Sequence, residues 1–226
     1  MIPLKDDNPT STFPYVTVAI IAVNAAVFLY QLTLGRDAGE VFIYRTAAIP
    51  SEISSFADVL PLDYLPPPLT PLTAMFVHGG LLHVGGNMLY LWIFGDNIED
   101  VLGHGLFAVF YLVTGVLASL THVLTDPGSA APMVGASGAI AGVLGAYFVL
   151  FPKAKVNTLV FLGLFVSIIK IPAVFFLVFW FLMQLLGAGA GGGIAWFAHI
   201  GGFASGALLI TLFKLAKGRS RHVPHG

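Results

Sequence analysis

The sequence contains no cysteine, which excludes a disulfide framework and any thiolate metal site. Charge is almost as scarce. Only 9% of the 226 residues are Asp, Glu, Lys or Arg, against about 25% in an ordinary soluble domain. A net charge of −1 by itself says nothing about nucleic acid, and no nucleic-acid partner is expected. No carboxylate interrupts the apolar stretches and no inverted repeat is visible, so the usual marks of a transporter or channel are missing. What is left is 57% hydrophobic, with a mean hydropathy of +0.90. That composition describes an integral membrane protein.

A membrane-spanning helix needs about 20 apolar residues. The sequence offers six such stretches, at about 13–34, 72–94, 102–124, 137–151, 172–187 and 194–215, and the expected fold is an all-α, polytopic bundle in one membrane domain. The first stretch is long for a signal peptide and has no clear cleavage site, so it reads as a retained helix. Lys5, Lys153, Lys155, Lys170, Lys214, Lys217, Arg219 and Arg221 fall on one side of this arrangement, and only Arg36 and Arg45 on the other. The Lys/Arg bias places both termini in the cytoplasm. Short tails without a targeting segment lead to the expectation of a prokaryotic plasma membrane.

Two connections stand out. Residues 35–71 form a long outer loop whose apolar and aromatic content predicts a structured element at the outer interface. The run Asn157–Lys170 is read as a hydrophobic connection lying partly at the inner interface, with a re-entrant helix as the alternative. Gly187–Gly193 reads as a flexible linker or as a flap over a site.

Polar groups inside apolar segments are costly and mark function. Gly135-Ala136-Ser137-Gly138 opens the fourth segment. A serine at a helix start stands beside free backbone N–H groups, which suit an oxyanion; an ordinary capping serine is the plain alternative. His199 lies inside the sixth segment, with Gly202 and Gly206 on its helical face. Gly138, Ala141, Gly142 and Gly145 give the fourth segment a matching small-residue face. Such faces allow close helix contact and would bring Ser137 to His199. In the second segment His83 and Asn87 share a face, two donors suited to one developing negative charge. A metal site built from His78, His83 and His199 lacks a ligating carboxylate and a His-Glu-x-x-His motif, so no metal and no cofactor are expected. Asp96, Glu99 and Asp100 read as solvated or pairing charges, and His104 and His122 as structural.

His83-x-x-x-Asn87, Gly135-Ala136-Ser137-Gly138 and Ala198-His199-x-x-Gly202-x-x-x-Gly206, in this order, resemble the rhomboid intramembrane serine proteases. The resemblance implies Ser137 as nucleophile and His199 as base and then acid. Asn87, His83 and the Ser137 N–H would form the oxyanion hole, with His78 close by. Gly135, Gly138, Gly202 and Gly206 would support the site, and Tyr44-Arg45 would stand where the family carries Trp-Arg in its first loop. Many members have a tyrosine one turn after the nucleophile, stacked on the histidine. Here that residue is Ala141, so another group must hold the imidazole. The implied partners are transmembrane protein substrates and membrane lipids. A non-catalytic relative that binds transmembrane helices is the competing reading.

Overall fold

The computed structural model describes residues 1–57, 65–163, 165–188 and 195–220. A strand, β1 (Ile2–Asp6), precedes the first apolar helix, α1 (Tyr15–Thr33). The long outer connection carries α2 (Arg36–Thr46), α3 (Pro50–Ser55), a 3-10 turn at Pro67–Leu69 and α4 (Thr70–Ala74). Then follow α5 (Leu81–Leu102), α6 (His104–Thr125) and α7 (Ser137–Leu150). A hairpin of β2 (Lys155–Leu162) and β3 (Phe165–Pro172) leads into α8 (Ala173–Gly187), and α9 (Trp196–Ser220) ends the described chain. Pro61, Arg221 and most of the Gly187–Gly193 stretch lie outside the described residues.

The molecule is a mostly helical, polytopic membrane protein. The apolar helices occur in the expected order. Three of them, Tyr15–Thr33, His104–Thr125 and Trp196–Lys217, are each long and apolar enough to cross a bilayer; Ser137–Leu150 and Ala173–Gly187 are shorter. Helix α7 is the axis of the bundle, and every residue from Ala139 to Tyr147 is buried. A helix enclosed on all sides must be apolar all round, and its small residues let the neighbours close on it.

The second long helix departs from expectation. It begins at Leu81 and ends at Leu102, a little over two turns later than the hydropathy indicates at either end. Consecutive glycines at Gly79-Gly80 interrupt helix propagation after the short α4. Gly103, at φ +77°, closes α5 with a left-handed backbone that favours glycine. The extra inner turns carry Asp96, Glu99 and Asp100.

Those carboxylates are not simply solvated. Pro14 gives α1 no side-chain cap. Glu99 supplies one from α5, accepting hydrogen bonds from the backbone N–H groups of Val16 (2.9 Å) and Thr17 (2.8 Å) and from the Thr17 hydroxyl (2.7 Å). Its carboxylate also meets His104 Nδ1 at 2.6 Å. A negative group at a helix N-terminus satisfies orphan N–H groups and the helix dipole together. Asp100 holds the preceding segment, accepting from the backbone N–H and hydroxyl groups of Ser11 and Thr12.

The inner connection is neither a loop nor a re-entrant helix. It is an antiparallel hairpin that recruits β1 into a three-stranded sheet in the order β1-β2-β3, with Ile2 opposite Leu159 and Asp6 opposite Val156. Alternate β-branched residues favour strands, and Gly163 at φ +63° makes the turn. Val156 and Thr158 are buried at the base of the hairpin, whereas Phe165, Val166 and Ile168 are exposed. The base of the hairpin is closed where α8 begins, since Ala173 N–H donates to Ala154 O and Val174 N–H to Pro152 O, both in the link between α7 and β2.

The described part of the outer connection is structured, as its aromatic content indicates. Ala48 and Met133 exchange backbone hydrogen bonds of 3.0 and 2.9 Å, and Gly135 N–H donates to Ala74 O at 2.8 Å. These bonds fix the chain that enters α7.

Candidate active site

Ser137 is the first residue of α7. The turn that delivers it passes through Gly135, at φ +122°. A Cβ there would stand 2.7 Å from His83 Nε2, so glycine is required by backbone angle and by space alike. The N–H groups of the first turn of α7 have no intrahelical acceptor.

His199 reaches Ser137 because α7 and α9 pack backbone to backbone. A Cβ on Gly202 would collide with the carbonyl oxygen of Gly138, and one on Gly206 with that of Gly142. Gly138 is similarly confined, with the Ala118 methyl 2.7 Å from the position its Cβ would take. With the helices this close, His199 Nε2 lies 2.8 Å from Ser137 Oγ.

Gln184, which belongs to none of the sequence motifs, completes the row. His199 Nδ1 lies 2.8 Å from Gln184 Oε1, on α8. Gln184 is buried, and its amide nitrogen donates to Trp180 O at 2.8 Å. The indoles of Trp180 and Trp196 flank the imidazole at centroid distances of 6.1 and 6.2 Å. The signal for Gln184 was a single amide in an otherwise apolar helix, AVFFLVFWFLMQLLG.

On the other side of Ser137, His83 and Asn87 project from the first turns of α5. Gly79 N–H donates to His83 Nδ1 at 3.4 Å, which leaves the ring proton on Nε2. That nitrogen and Asn87 Nδ2 both lie beside Gly135, 2.7 and 3.7 Å from the position of an added Cβ. Asn87 is buried, and its Nδ2 has no hydrogen-bond partner. An unpaired buried donor costs about 1–3 kcal/mol, so one aimed beside a serine suits a ligand oxygen.

His78 stands behind this pair, in the turn before α5, and is 1% exposed. Its Nε2 accepts from Ala136 N–H at 3.4 Å, and its ring meets His83 edge-on at 5.0 Å. Gln31 of α1 pairs with both the backbone N–H and the carbonyl of His78. His78 thus braces the turn carrying Ser137.

Ser137, His199, Gln184, His83 and Asn87 line one cavity of about 680 Å³, closed further by Trp180 and Trp196. Tyr44 and Arg45 do not line it. Arg45 instead borders a separate groove of about 360 Å³ between α1 and α2. Among the described residues no cluster of three or more His, Cys, Asp or Glu could hold a metal ion.

The chain is similar in sequence to known proteins. The Rhomboid domain family model matches residues 69–215. Rhomboid protein 1, mitochondrial, of Saccharomyces cerevisiae is 36% identical over 107 residues, covering 46% of this chain and 31% of the yeast protein. Rhomboid protease GluP of Bacillus subtilis is 40% identical over 75 residues, 33% of this chain and 14% of the relative. RHOMBOID-like protein 4 of Arabidopsis thaliana is 32% identical over 138 residues, 61% of this chain and 32% of the relative. The matched stretches therefore span about a third or less of these relatives. Mitochondrial and plant proteins stand beside the bacterial one, so the expected prokaryotic plasma membrane is not borne out. The match from α4 into α9, on a polytopic helical fold, is sufficient to state that this chain belongs to the rhomboid family.

Proposed function

We propose that the chain is an intramembrane serine endopeptidase that hydrolyses peptide bonds in or near the transmembrane segments of other membrane proteins. The observation that carries this reading is the 2.8 Å approach of His199 Nε2 to Ser137 Oγ beside an unpaired Asn87 amide donor.

His199 Nε2 takes the hydroxyl proton as Ser137 Oγ attacks the substrate carbonyl carbon. The carbonyl oxygen becomes an oxyanion and receives hydrogen bonds from Asn87 Nδ2, His83 Nε2 and the Ser137 N–H. Collapse of the tetrahedral intermediate breaks the C–N bond, and His199 passes its proton to the leaving amine. Water, deprotonated by the same imidazole, then hydrolyses the acyl-enzyme and restores the Ser137 hydroxyl.

The cavity walls support a substrate that enters from the bilayer. Helices α5 and α8 meet through rings near the middle of α5 and the start of α8, where Tyr90 and Phe94 face Phe176. Beyond those rings, Leu82 and Gly86 of α5 and Trp180 and Gln184 of α8 border the cavity. A helical substrate has its carbonyls engaged within the helix, so it must unwind before attack. Small or helix-breaking residues at the cleavage site are the expected preference.

The test is incubation of the purified protein with model transmembrane substrates, together with fluorophosphonate labelling read by mass spectrometry. Cleavage and adduct formation at Ser137, both lost in Ser137→Ala, are expected. Substrate association without cleavage or adduct would favour the helix-binding alternative.

A further inference from the structure

We infer that Gln184 is a positioning residue that fixes the tautomer and orientation of His199, filling from α8 the place that an acidic triad member occupies in other serine hydrolases. The inference rests on the proteolytic reading above and deepens it.

Trp180 O is a carbonyl and can only accept, so the Gln184 group 2.8 Å from it must be the amide nitrogen. That fixes the amide against a flip and leaves Oε1 facing His199 Nδ1 at 2.8 Å. An amide oxygen can only accept, so Nδ1 carries the ring proton. Nε2 is then the bare nitrogen, and it is the one 2.8 Å from Ser137 Oγ. The chain Ser137–His199–Gln184–Trp180 has one consistent donor direction, and it is the direction that a general base needs.

Without Gln184 this direction has no guarantor. A free neutral imidazole holds its proton mainly on Nε2, which would make His199 a donor to Ser137 instead of an acceptor. Ala141 is too small to stack on the ring, and the two indoles flank it at centroid distances above 6 Å. Gln184 is the described residue that grips the imidazole by a directed bond at Nδ1. Its amide is neutral, which suits a buried site: it orients the ring without placing a second charge in an apolar bundle.

The experiment compares Gln184→Leu and Gln184→Glu with the wild type in detergent or nanodiscs. Three readouts are taken: cleavage of a transmembrane substrate across pH, thermal midpoint, and 15N chemical shifts of the histidine ring. Gln184→Leu keeps the volume but removes the acceptor. Its kcat should fall roughly 10- to 100-fold, with KM and thermal midpoint little changed, and the wild-type Nδ1–H signature of His199 should be lost. Gln184→Glu restores an acceptor at Nδ1, so it should recover part of the rate. Its carboxylate would also favour the protonated imidazole and move the acidic limb of the pH profile to higher pH.

Wild-type kcat and ring shifts in Gln184→Leu would overturn the inference. So would equal losses in both variants with an unchanged pH profile, because that pattern marks packing alone. A wild-type protein that neither cleaves nor labels at Ser137 would instead remove the proteolytic reading, and the ring shifts would still report the tautomer.

Discussion

The α-carbon of Gly206 lies so near the carbonyl oxygen of Gly142 that one added methyl group would overlap it. The same holds one turn earlier for Gly202 and the Gly138 carbonyl. In lipid there is no hydrophobic gain from bringing two helices together, so close packing and directed polar contacts hold the pair. The distance between Ser137 and His199 is therefore set by glycines that take no part in chemistry.

The first prediction concerns this seam. Gly202→Val should push α9 away from α7, because the obstacle is backbone and cannot yield. Overpacking of this kind costs about 1–3 kcal/mol, and the Ser137–His199 hydrogen bond should break with it. Fluorophosphonate labelling of Ser137 should fall at least tenfold, and the thermal midpoint in detergent should drop. Gly105→Ala, in open space at the start of α6, is the control and should change neither. Full labelling in Gly202→Val would show that the seam does not set the dyad.

Asn87 carries the second prediction. Its Nδ2 is buried without a partner, and the proposed mechanism gives it one only when the oxyanion forms. An interaction made only in the transition state lowers kcat when removed and leaves KM alone. Asn87→Ala should therefore reduce kcat about 100- to 1000-fold at nearly constant KM. Relief of the unpaired donor should leave stability equal to or above that of the wild type. A variant defective mainly in KM would make Asn87 a substrate-binding residue and remove it from the oxyanion hole.

The legibility of this molecule in its sequence follows from the physics of each part. Ser137, His199 and the small-residue faces stood out because a polar group or a glycine repeat is conspicuous against lipid-compatible residues. Gln184 is equally polar but belongs to no motif, and its meaning appears only when α8 lies beside α9. The hairpin is hard to read because apolar residues dominate both faces of β3, with Ser167 on one and Lys170 on the other, which removes the period-two alternation that identifies a strand. The alternate β-branched residues of β2 and the central Gly163 were its remaining signs. The cap that Glu99 gives to α1 joins residues more than 80 apart, and no local pattern announces such a pair.

The third prediction concerns Gly135. Its φ of +122° is unfavourable for any side chain, and a Cβ would press on His83 Nε2 at 2.7 Å. Gly135→Ala should cost roughly 1–2 kcal/mol through the backbone alone. It should also displace His83 and slow cleavage more than that stability loss accounts for. Wild-type activity in a less stable Gly135→Ala protein would separate His83 from the reaction.

The last prediction lies at the inner end of the bundle. Asp6, in β1, is 7% exposed. Its carboxylate accepts from the Tyr147 hydroxyl at 2.5 Å and from Asn97 Nδ2 at 3.2 Å. Asn97 is also bonded to Asn8, so this cluster fastens the N-terminal strand to α5 and α7. Burial outweighs those hydrogen bonds and pushes the Asp6 pKa from 3.8 up to about 6. The folded state therefore holds a proton that the unfolded chain releases at lower pH. The stabilising contribution is complete below about pH 4, is lost as pH rises through about 6, and amounts at most to about 3 kcal/mol. Asp6→Asn keeps an acceptor oxygen and cannot ionise. Against the wild type, its thermal midpoint should gain steadily between pH 4 and pH 7 and level off above. Parallel pH curves for the two proteins would mean that Asp6 is already ionised in the fold, held by Tyr147 and Asn97.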